Sequence, residues 1–114
     1  MAIPSGSGTE VLKSFLSGSG TGWITCITGV ANHIYTIISF TICDANGTEL
    51  STGFQVKFKD ASANDYYIYQ NVVVPTKGTF VHNDRLIMVG NVDFEIKTFE
   101  NAHISVSYID QDWT

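Results

Sequence analysis

The side chains that could most readily bind a metal ion are three histidines, at positions 33, 82 and 103. Two histidines form a local metal site when they lie two or four residues apart, because both rings can then reach one ion. No pair has that spacing here, and we interpret all three as loop or capping residues. The aspartates also lack the ligand spacing and central glycine of a calcium loop. The sequence therefore predicts no metal site and no other cofactor.

Serine, histidine and aspartate all occur, but no catalytic nucleophile is recognisable. A hydrolase serine typically lies in Gly-x-Ser-x-Gly, after a strand and at the start of a helix, and no such motif is present. The glycine-rich stretch at 18–22 has the composition of a phosphate-binding loop, but it lacks the lysine and the following helix. We interpret it as a flexible connector, and we predict that the protein is not an enzyme.

Cys26 and Cys43 are the only cysteines, and their spacing matches no zinc motif. The first twenty residues contain no basic segment followed by an apolar one, so we expect no secretory signal. Synthesis in a reducing cytoplasm follows, where cysteines normally stay as thiols. We expect each to fill a strand position as a small apolar side chain, although the sequence alone leaves their pairing open.

The composition indicates one folded domain with a weakly charged surface. The chain has 114 residues, of which 44% are hydrophobic and only 15% charged, with a net charge of −5. Phosphate contacts need several cations on one surface, and no cluster of lysine or arginine exists, so nucleic-acid binding is not expected. No apolar run is long enough to span a bilayer as a helix, so no membrane partner is expected.

Alternation of apolar and polar residues with period two dominates the chain after residue 20 and predicts antiparallel strands. Turn-forming residues separate them, including Asn46-Gly47 and a break at Gly90. We predict eight strands, over residues 9–16, 21–30, 34–43, 53–59, 65–73, 79–82, 85–97 and 103–109. The fold class is therefore all-β, an antiparallel β-sandwich of the jelly-roll type, with an immunoglobulin-like sandwich as the alternative.

The N-terminal residues predict an extended arm. Pro4 and a Ser-Gly-Ser-Gly run precede an apolar segment, which suits a flexible arm that anchors on a neighbour, although a passive leader is the alternative. We divide the chain into an arm and connector over residues 1–20 and a sandwich over residues 21–114. The candidate docking residues of the arm are Ile3, Pro4, Val11, Leu12 and Phe15.

Aromatic and apolar residues on predicted outer strand faces are further interface candidates. Alternation places Tyr35 and Ile37 on the outer face of strand 34–43, together with Ser39 and Thr41. Tyrosine is favoured at interfaces because one side chain offers both area and a hydroxyl. Other candidates are Tyr66, Tyr67, Tyr69 and Trp113. A sugar-stacking platform formed by Trp23 and Trp113 is the weaker alternative, since tryptophan in a sandwich is more often part of the core.

Several segments of the chain resemble small virion structural proteins of tailed bacteriophages. They are MAIPSGSGTEVLK at the start, ANHIYTIISFTIC at 31–43, DYYIYQNVVVPTKGTF at 65–80 and NVDFEIKTFENAHISVSYID at 91–110. The resemblance concerns the framework and includes no catalytic motif. It implies a β-sandwich that assembles on the virion as a homo-oligomer, with a trimer preferred, after synthesis in the host cytoplasm.

The resemblance implies two functions. The first is a capsid decoration or cement protein, which binds the major capsid protein or other virion proteins through many weak contacts. The second is a component of the tail, neck or fibre that binds a receptor or glycan. The residues themselves do not distinguish between these positions on the virion.

Overall fold

The computed structural model describes residues 9–18, 22–45, 50–99 and 101–112. Within these ranges the chain forms nine strands. They are β1 (Thr9–Ser17), β2 (Gly22–Ile27), β3 (His33–Asp44), β4 (Leu50–Lys59), β5 (Asp65–Val74), β6 (Thr79–His82), β7 (Leu86–Val89), β8 (Asp93–Thr98) and β9 (Ala102–Asp112). None of the described residues lies in a helix, and so this part of the chain has no apolar helix of membrane-spanning length.

The strands form two antiparallel sheets with the strand order of a jelly roll. One sheet has the order β1-β9-β3-β6, and β7 also pairs with β3, so that β6 and β7 share one edge. The other sheet has the order β2-β8-β4-β5. The predicted all-β jelly-roll sandwich is therefore confirmed. The predicted break at Gly90 divides the segment 85–97 into β7 and β8, and Gly90 has a φ of 73°.

The alternating pattern of the sequence buries one face of each sheet. In β8, for example, Phe94, Ile96 and Thr98 point into the sandwich and are almost completely buried. Phe40 of the five-stranded sheet and Phe54 of the four-stranded sheet pack in the same core, with exposed fractions of 1% and 0%. Burial of such apolar side chains contributes about 1.5–3 kcal/mol each, so the core is the main source of stability.

A β-bulge in β3 changes which side chains face the core. The register between β3 and β9 shifts between Ile37 and Ser39, so one extra residue, Ile38, is inserted there. Tyr35 and Ile37 therefore point inward, on the same side as Phe40, and their exposed fractions are 3% and 0%. The prediction that Tyr35 and Ile37 lie on the outer face is wrong, because strict alternation holds only on either side of a bulge.

Thr9–Ser17 forms an edge strand that pairs with β9 along its whole length. This stretch, which we assigned to the arm, is thus hydrogen-bonded into the five-stranded sheet. The structure does not describe residues 1–8, which include Ile3 and Pro4, or residues 19–21. It also does not describe Trp113 or the predicted turn at Asn46-Gly47. The arm and its boundary with the sandwich accordingly stay a prediction.

Candidate interaction surface on the five-stranded sheet

The outer face of the five-stranded sheet carries almost no charge. Its side chains alternate with the buried ones along the strands, and the pairing registers place them side by side. We call this surface the neutral face. Its uncharged members are Leu12, Ser14, Leu16, Ile34, Thr36, Ile38, Ser39, Thr41, Cys43, Thr79, Val81, Ile87, Val89, Ser105, Ser107, Ile109 and Gln111.

A row of apolar and β-branched side chains crosses the neutral face from edge to edge. Leu12 lies opposite Ile109, which lies opposite Thr36, which in turn lies opposite Ile87. The two ends of the row are strongly exposed, since Leu12 is 72% and Ile87 64% exposed. Leu16, at the end of a second row, is 75% exposed. Large apolar side chains exposed together on one surface are typical of a protein interaction site.

Two grooves of about 340 Å³ each open on the neutral face. The first is predominantly apolar and is lined by Leu16, Ser17, Gly18, Thr41, Cys43, His103, Ile104 and Ser105. The second is lined by Glu10, Thr36, Ile38, Arg85, Ile109 and Gln111. An apolar side chain of a partner protein can therefore insert into this surface in addition to packing on it.

The charges at the neutral face lie at its two edges. Glu10 belongs to the edge strand β1, and its carboxylate accepts a hydrogen bond of 2.8 Å from Nε2 of Gln111. Arg85 directly precedes β7 at the opposite edge. Of the residues that the structure describes, these are the only lysine, arginine, aspartate or glutamate side chains that line the two grooves. A contact over the neutral face accordingly requires little desolvation of charge.

The outer face of the four-stranded sheet has a different chemistry, because it is closed by its own ion pairs. Nζ of Lys57 lies 3.0 Å from a carboxylate oxygen of Asp65 and 3.5 Å from one of Glu95. The hydroxyl of Thr25 donates to the other carboxylate oxygen of Glu95 at 3.0 Å. Burial alone would lower the pKa of Lys57, but the hydrogen bond that Lys57 donates to Asp65 and the negative charges of Asp65 and Glu95 outweigh burial and raise the pKa.

Trp23 covers this ion cluster. Nζ of Lys57 lies 4.0 Å from the centre of the Trp23 ring, a cation–π contact, and Nζ of Lys97 lies 5.8 Å away. The ring of Tyr67 is 6.3 Å from the Trp23 ring. A sugar stacks on an open aromatic face, and Lys57 occupies one face of Trp23. The Trp23 half of the predicted sugar platform is therefore poorly suited to that role.

The predicted docking residues separate into two groups. Val11, Leu12, Tyr66 and Tyr67 are exposed by 44% or more and stay candidates for an interface. Phe15 and Tyr69 are partly buried and pack against the core, as Tyr35 and Ile37 do inside it. Those four side chains contribute to the chain's own fold, which is a correction to their predicted docking role.

The histidines occupy structured positions. His33 begins β3 instead of lying in a loop, and its Nδ1 is 2.7 Å from a carboxylate oxygen of Asp110. Nζ of Lys13 bonds the other oxygen of Asp110 at 2.9 Å. His82 ends β6 and is buried, whereas His103 is exposed beside the first groove. Within the described ranges, no three histidine, cysteine or acidic side chains are placed to hold a metal ion.

Sequence reasoning missed the roles of Ile38, Lys57 and Asp110. No turn residue announces the bulge at Ile38, and nothing distinguishes Lys57 from Lys59 in an alternating strand. One signal was available for Asp110. It continues the inward series of alternate residues in β9 that begins at Ala102, so an inward acid was foreseeable.

No protein-family model matches the chain, and no curated protein matches it. Solved structures do share its fold. A protein of the Bacillus endospore appendages, described as a novel family of disulfide-linked pili, has a TM-score of 0.53 and 10% identity, with 99% of this chain and 96% of that chain covered. A chain of the acidic stable capsid of Helicobacter pylori bacteriophage KHP30 has a TM-score of 0.52 and 6% identity, with 94% of each chain covered.

A chain of the infectious bursal disease virus Gt strain also has a TM-score of 0.52, with 10% identity. The match covers 96% of this chain but only 33% of that longer chain, so this protein spans about a third of its length. At identities this low, the three similarities concern the fold. They show that this sandwich architecture occurs in particle and appendage proteins.

Proposed function

We propose that this protein is a non-enzymatic structural component of a bacteriophage virion, and within that class a capsid decoration or cement protein. The observation that carries the proposal is the neutral face, which offers exposed leucine and isoleucine side chains, two grooves and little charge. A surface of this kind suits contacts between the subunits of an assembly. The resemblance in sequence and the shared fold of a phage capsid chain support the same class.

The mechanism is adhesive. The copies are linked as a homo-oligomer, a trimer in the resembling family, and each copy contacts the major capsid protein or another virion protein. Because linked copies bind at high effective concentration, weak contacts add up to stable attachment. A role as a tail, neck or fibre component that binds glycans is less well supported, since Lys57 already covers one face of Trp23.

The test is the position of the protein on purified virions from the genome that encodes this chain. An antibody against the purified chain, carrying gold particles, should label the capsid shell in electron micrographs. Label confined to the tail tip or fibres would support the alternative. Virions that carry neither label nor peptides of this chain by mass spectrometry would show that it is not a virion protein. Antibody absorbed with the purified chain is the control.

A further inference from the structure

We propose that the neutral face binds a second copy of this chain, so that two copies pack their five-stranded sheets face to face around a two-fold axis. The proposal rests on the proposed function, because it identifies the surface that holds the homo-oligomer together. It starts from three properties of the neutral face, which are its charge, its area and the order of its side chains.

Charge selects this face for self-association. Each chain carries a net charge of −5, so two copies repel one another over most of their surfaces. Among the described residues, the neutral face has His103, one acid, Glu10, and one arginine, Arg85, and the last two lie at opposite edges. A two-fold axis parallel to the strands sets the β1 edge of one copy over the β7 edge of the other. The edge that carries Glu10 then faces the edge that carries Arg85 twice, with Glu10 opposite Val89 and Arg85 further along the same edge.

The area of the neutral face comes close to what a stable pair needs. Four strand positions at a spacing of about 4.8 Å give a width of about 19 Å, and nine residues along β1 give a length of about 30 Å. The flat area is therefore about 600 Å², and protruding side chains increase the accessible area. A stable interface buries about 800 Å² of accessible surface on each partner, which this face can approach.

The row across the sheet predicts which side chains meet. Leu12 and Ile87 are the two ends of that row. With the two-fold axis parallel to the strands, Leu12 of each copy faces Ile87 of the other. Leu16 and Val81 are likewise the two ends of the row through Thr41, so Val81 of one copy comes over the apolar groove beside Leu16 of the other.

This geometry differs from the trimer implied by the sequence resemblance. Two flat sheets that pack against each other use the same patch on both copies, and such a contact closes after two subunits. The purified protein should therefore sediment at twice the mass of one chain at micromolar concentration. A trimer would require a different surface on each side of every contact.

Sedimentation of charged variants tests the surface. Leu12→Lys and Ile87→Lys each place an ammonium group in the row, and each should raise the dissociation constant of the pair at least tenfold. Val73→Lys is the matched control, since Val73 is 49% exposed on β5 of the other sheet and should leave the constant unchanged. Circular dichroism and a thermal melt of every variant show whether it is folded, and a variant that unfolds is replaced by Leu12→Ser or Ile87→Thr.

Cross-linking tests the arrangement. Face-to-face sheets lie about 10 Å apart, which is too far for a disulfide, so a bis-maleimide linker of about that length is used. In a Cys43→Ser background, Leu12→Cys mixed with Ile87→Cys should cross-link faster than either variant alone. Equal rates in the mixture and in the separate variants would contradict the two-fold arrangement.

Three results would overturn the proposal. They are a monomer at about 100 μM, a trimer, and an association that neither lysine variant weakens. Suppose that the chain is a monomer but binds a shell protein, and that Leu12→Lys abolishes this binding. The occupant of the neutral face is then a different virion protein. Since gold labelling of virions is independent of these measurements, failure of the pair is distinguishable from failure of the proposed function.

Discussion

The hydroxyl of Tyr69 and Nδ1 of His82 are hydrogen-bonded at 2.7 Å and join the two sheets of the sandwich. Tyr69 lies on β5 of the four-stranded sheet, and His82 ends β6 of the five-stranded sheet. The His82 ring also stacks on Phe40, with ring centres 4.8 Å apart. Its Nε2 is buried and has no hydrogen-bond partner among the described residues. The Tyr69 hydroxyl is therefore the hydrogen-bond partner on which Nδ1 of the buried His82 ring depends.

Tyr69→Phe should lower the free energy of unfolding by about 1–3 kcal/mol, because both nitrogens of the buried His82 ring then lack a partner. The double variant Tyr69→Phe/His82→Phe should recover much of this loss, since it keeps the stacking on Phe40 and removes the polar atoms. Urea denaturation measures both. Tyr67→Phe, at an exposed position, is the control. Additive effects of the two substitutions would show that the pair is not coupled.

Asp110 should make stability depend on pH below about 4. Burial alone would raise its pKa, but hydrogen bonds from Lys13 and His33 outweigh burial and hold the pKa below its ordinary value of 3.8. A carboxyl whose pKa is lower in the folded state stabilises the fold above the unfolded pKa. That contribution is lost as the pH falls through the folded pKa.

Asp110→Asn should therefore cost about 1–2 kcal/mol at pH 7 and progressively less at acid pH. The measurement is the midpoint of urea unfolding between pH 7 and pH 2. Asp84→Asn, in the exposed turn between β6 and β7, serves as the control. A cost for Asp110→Asn that is the same at pH 2 and pH 7 would contradict the prediction.

Lys57→Met should destabilise the protein by about 2–3 kcal/mol, because the nearly buried Glu95 and the partly exposed Asp65 lose their cation. Adding Glu95→Gln should restore at least half of this loss, since the amide keeps an oxygen for the Thr25 hydroxyl. Thermal and urea denaturation measure the change. Lys77→Met, at an exposed turn position, should have little effect. If Glu95→Gln instead destabilises the Lys57→Met variant further, the unpaired carboxylates are not the cause of the lost stability.

The two cysteines should react at very different rates with a thiol reagent. Both are free, and burial raises the pKa of Cys26 to about 12, whereas Cys43 is partly exposed beside the first groove. The thiolate is the reactive form, so in folded protein at pH 8, diluted until the proposed pair dissociates, Cys43 should react quickly and Cys26 only after unfolding. Two fast-reacting thiols would contradict this assignment.

The cysteines should also be dispensable for folding. Cys26→Ala should lower the free energy of unfolding by only about 1–2 kcal/mol, and reductant should not change stability.

Deletion of residues 1–8 should leave the fold intact and weaken attachment to virions. The first described strand begins at Thr9, so the deletion removes no described strand, and the midpoint of unfolding should stay the same. Attachment is measured by adding truncated and full-length chains to particles that lack the protein. Equal binding by both would show that these residues are a passive leader and not an anchoring arm.

The strands were predictable from sequence because burial of one sheet face imposes a period of two on the residues. The break between β7 and β8 was predictable for a different reason, because glycine adopts positive φ readily and Gly90 lies at that break. The bulge at Ile38 was not predictable, because an inserted residue costs little locally and its position is decided by pairing with β9. That one shift moved Tyr35 and Ile37 from the predicted interface into the core.

The candidate site was predictable only in part. The composition indicated a surface with little charge, and the exposed Leu12 was identified among the candidate docking residues of the arm. The neutral face itself depends on which strands are neighbours, and that order comes from contacts between distant parts of the sequence. Ile87 and Ile109 meet on one surface because both of their strands lie close to β3, a relationship that no local pattern contains.

The two outer sheet faces differ in chemistry, because the neutral face has little charge and the face with Trp23, Lys57 and Glu95 has an ion cluster. When the neutral face is covered, the face with Trp23, Lys57 and Glu95 stays exposed to solvent. If two copies pair through the neutral face as proposed, a change of charge on the face with Trp23, Lys57 and Glu95 would alter the exposed surface of the pair without altering its contact. The proposed contact and the charged surface can therefore change independently, since they lie on different sheets.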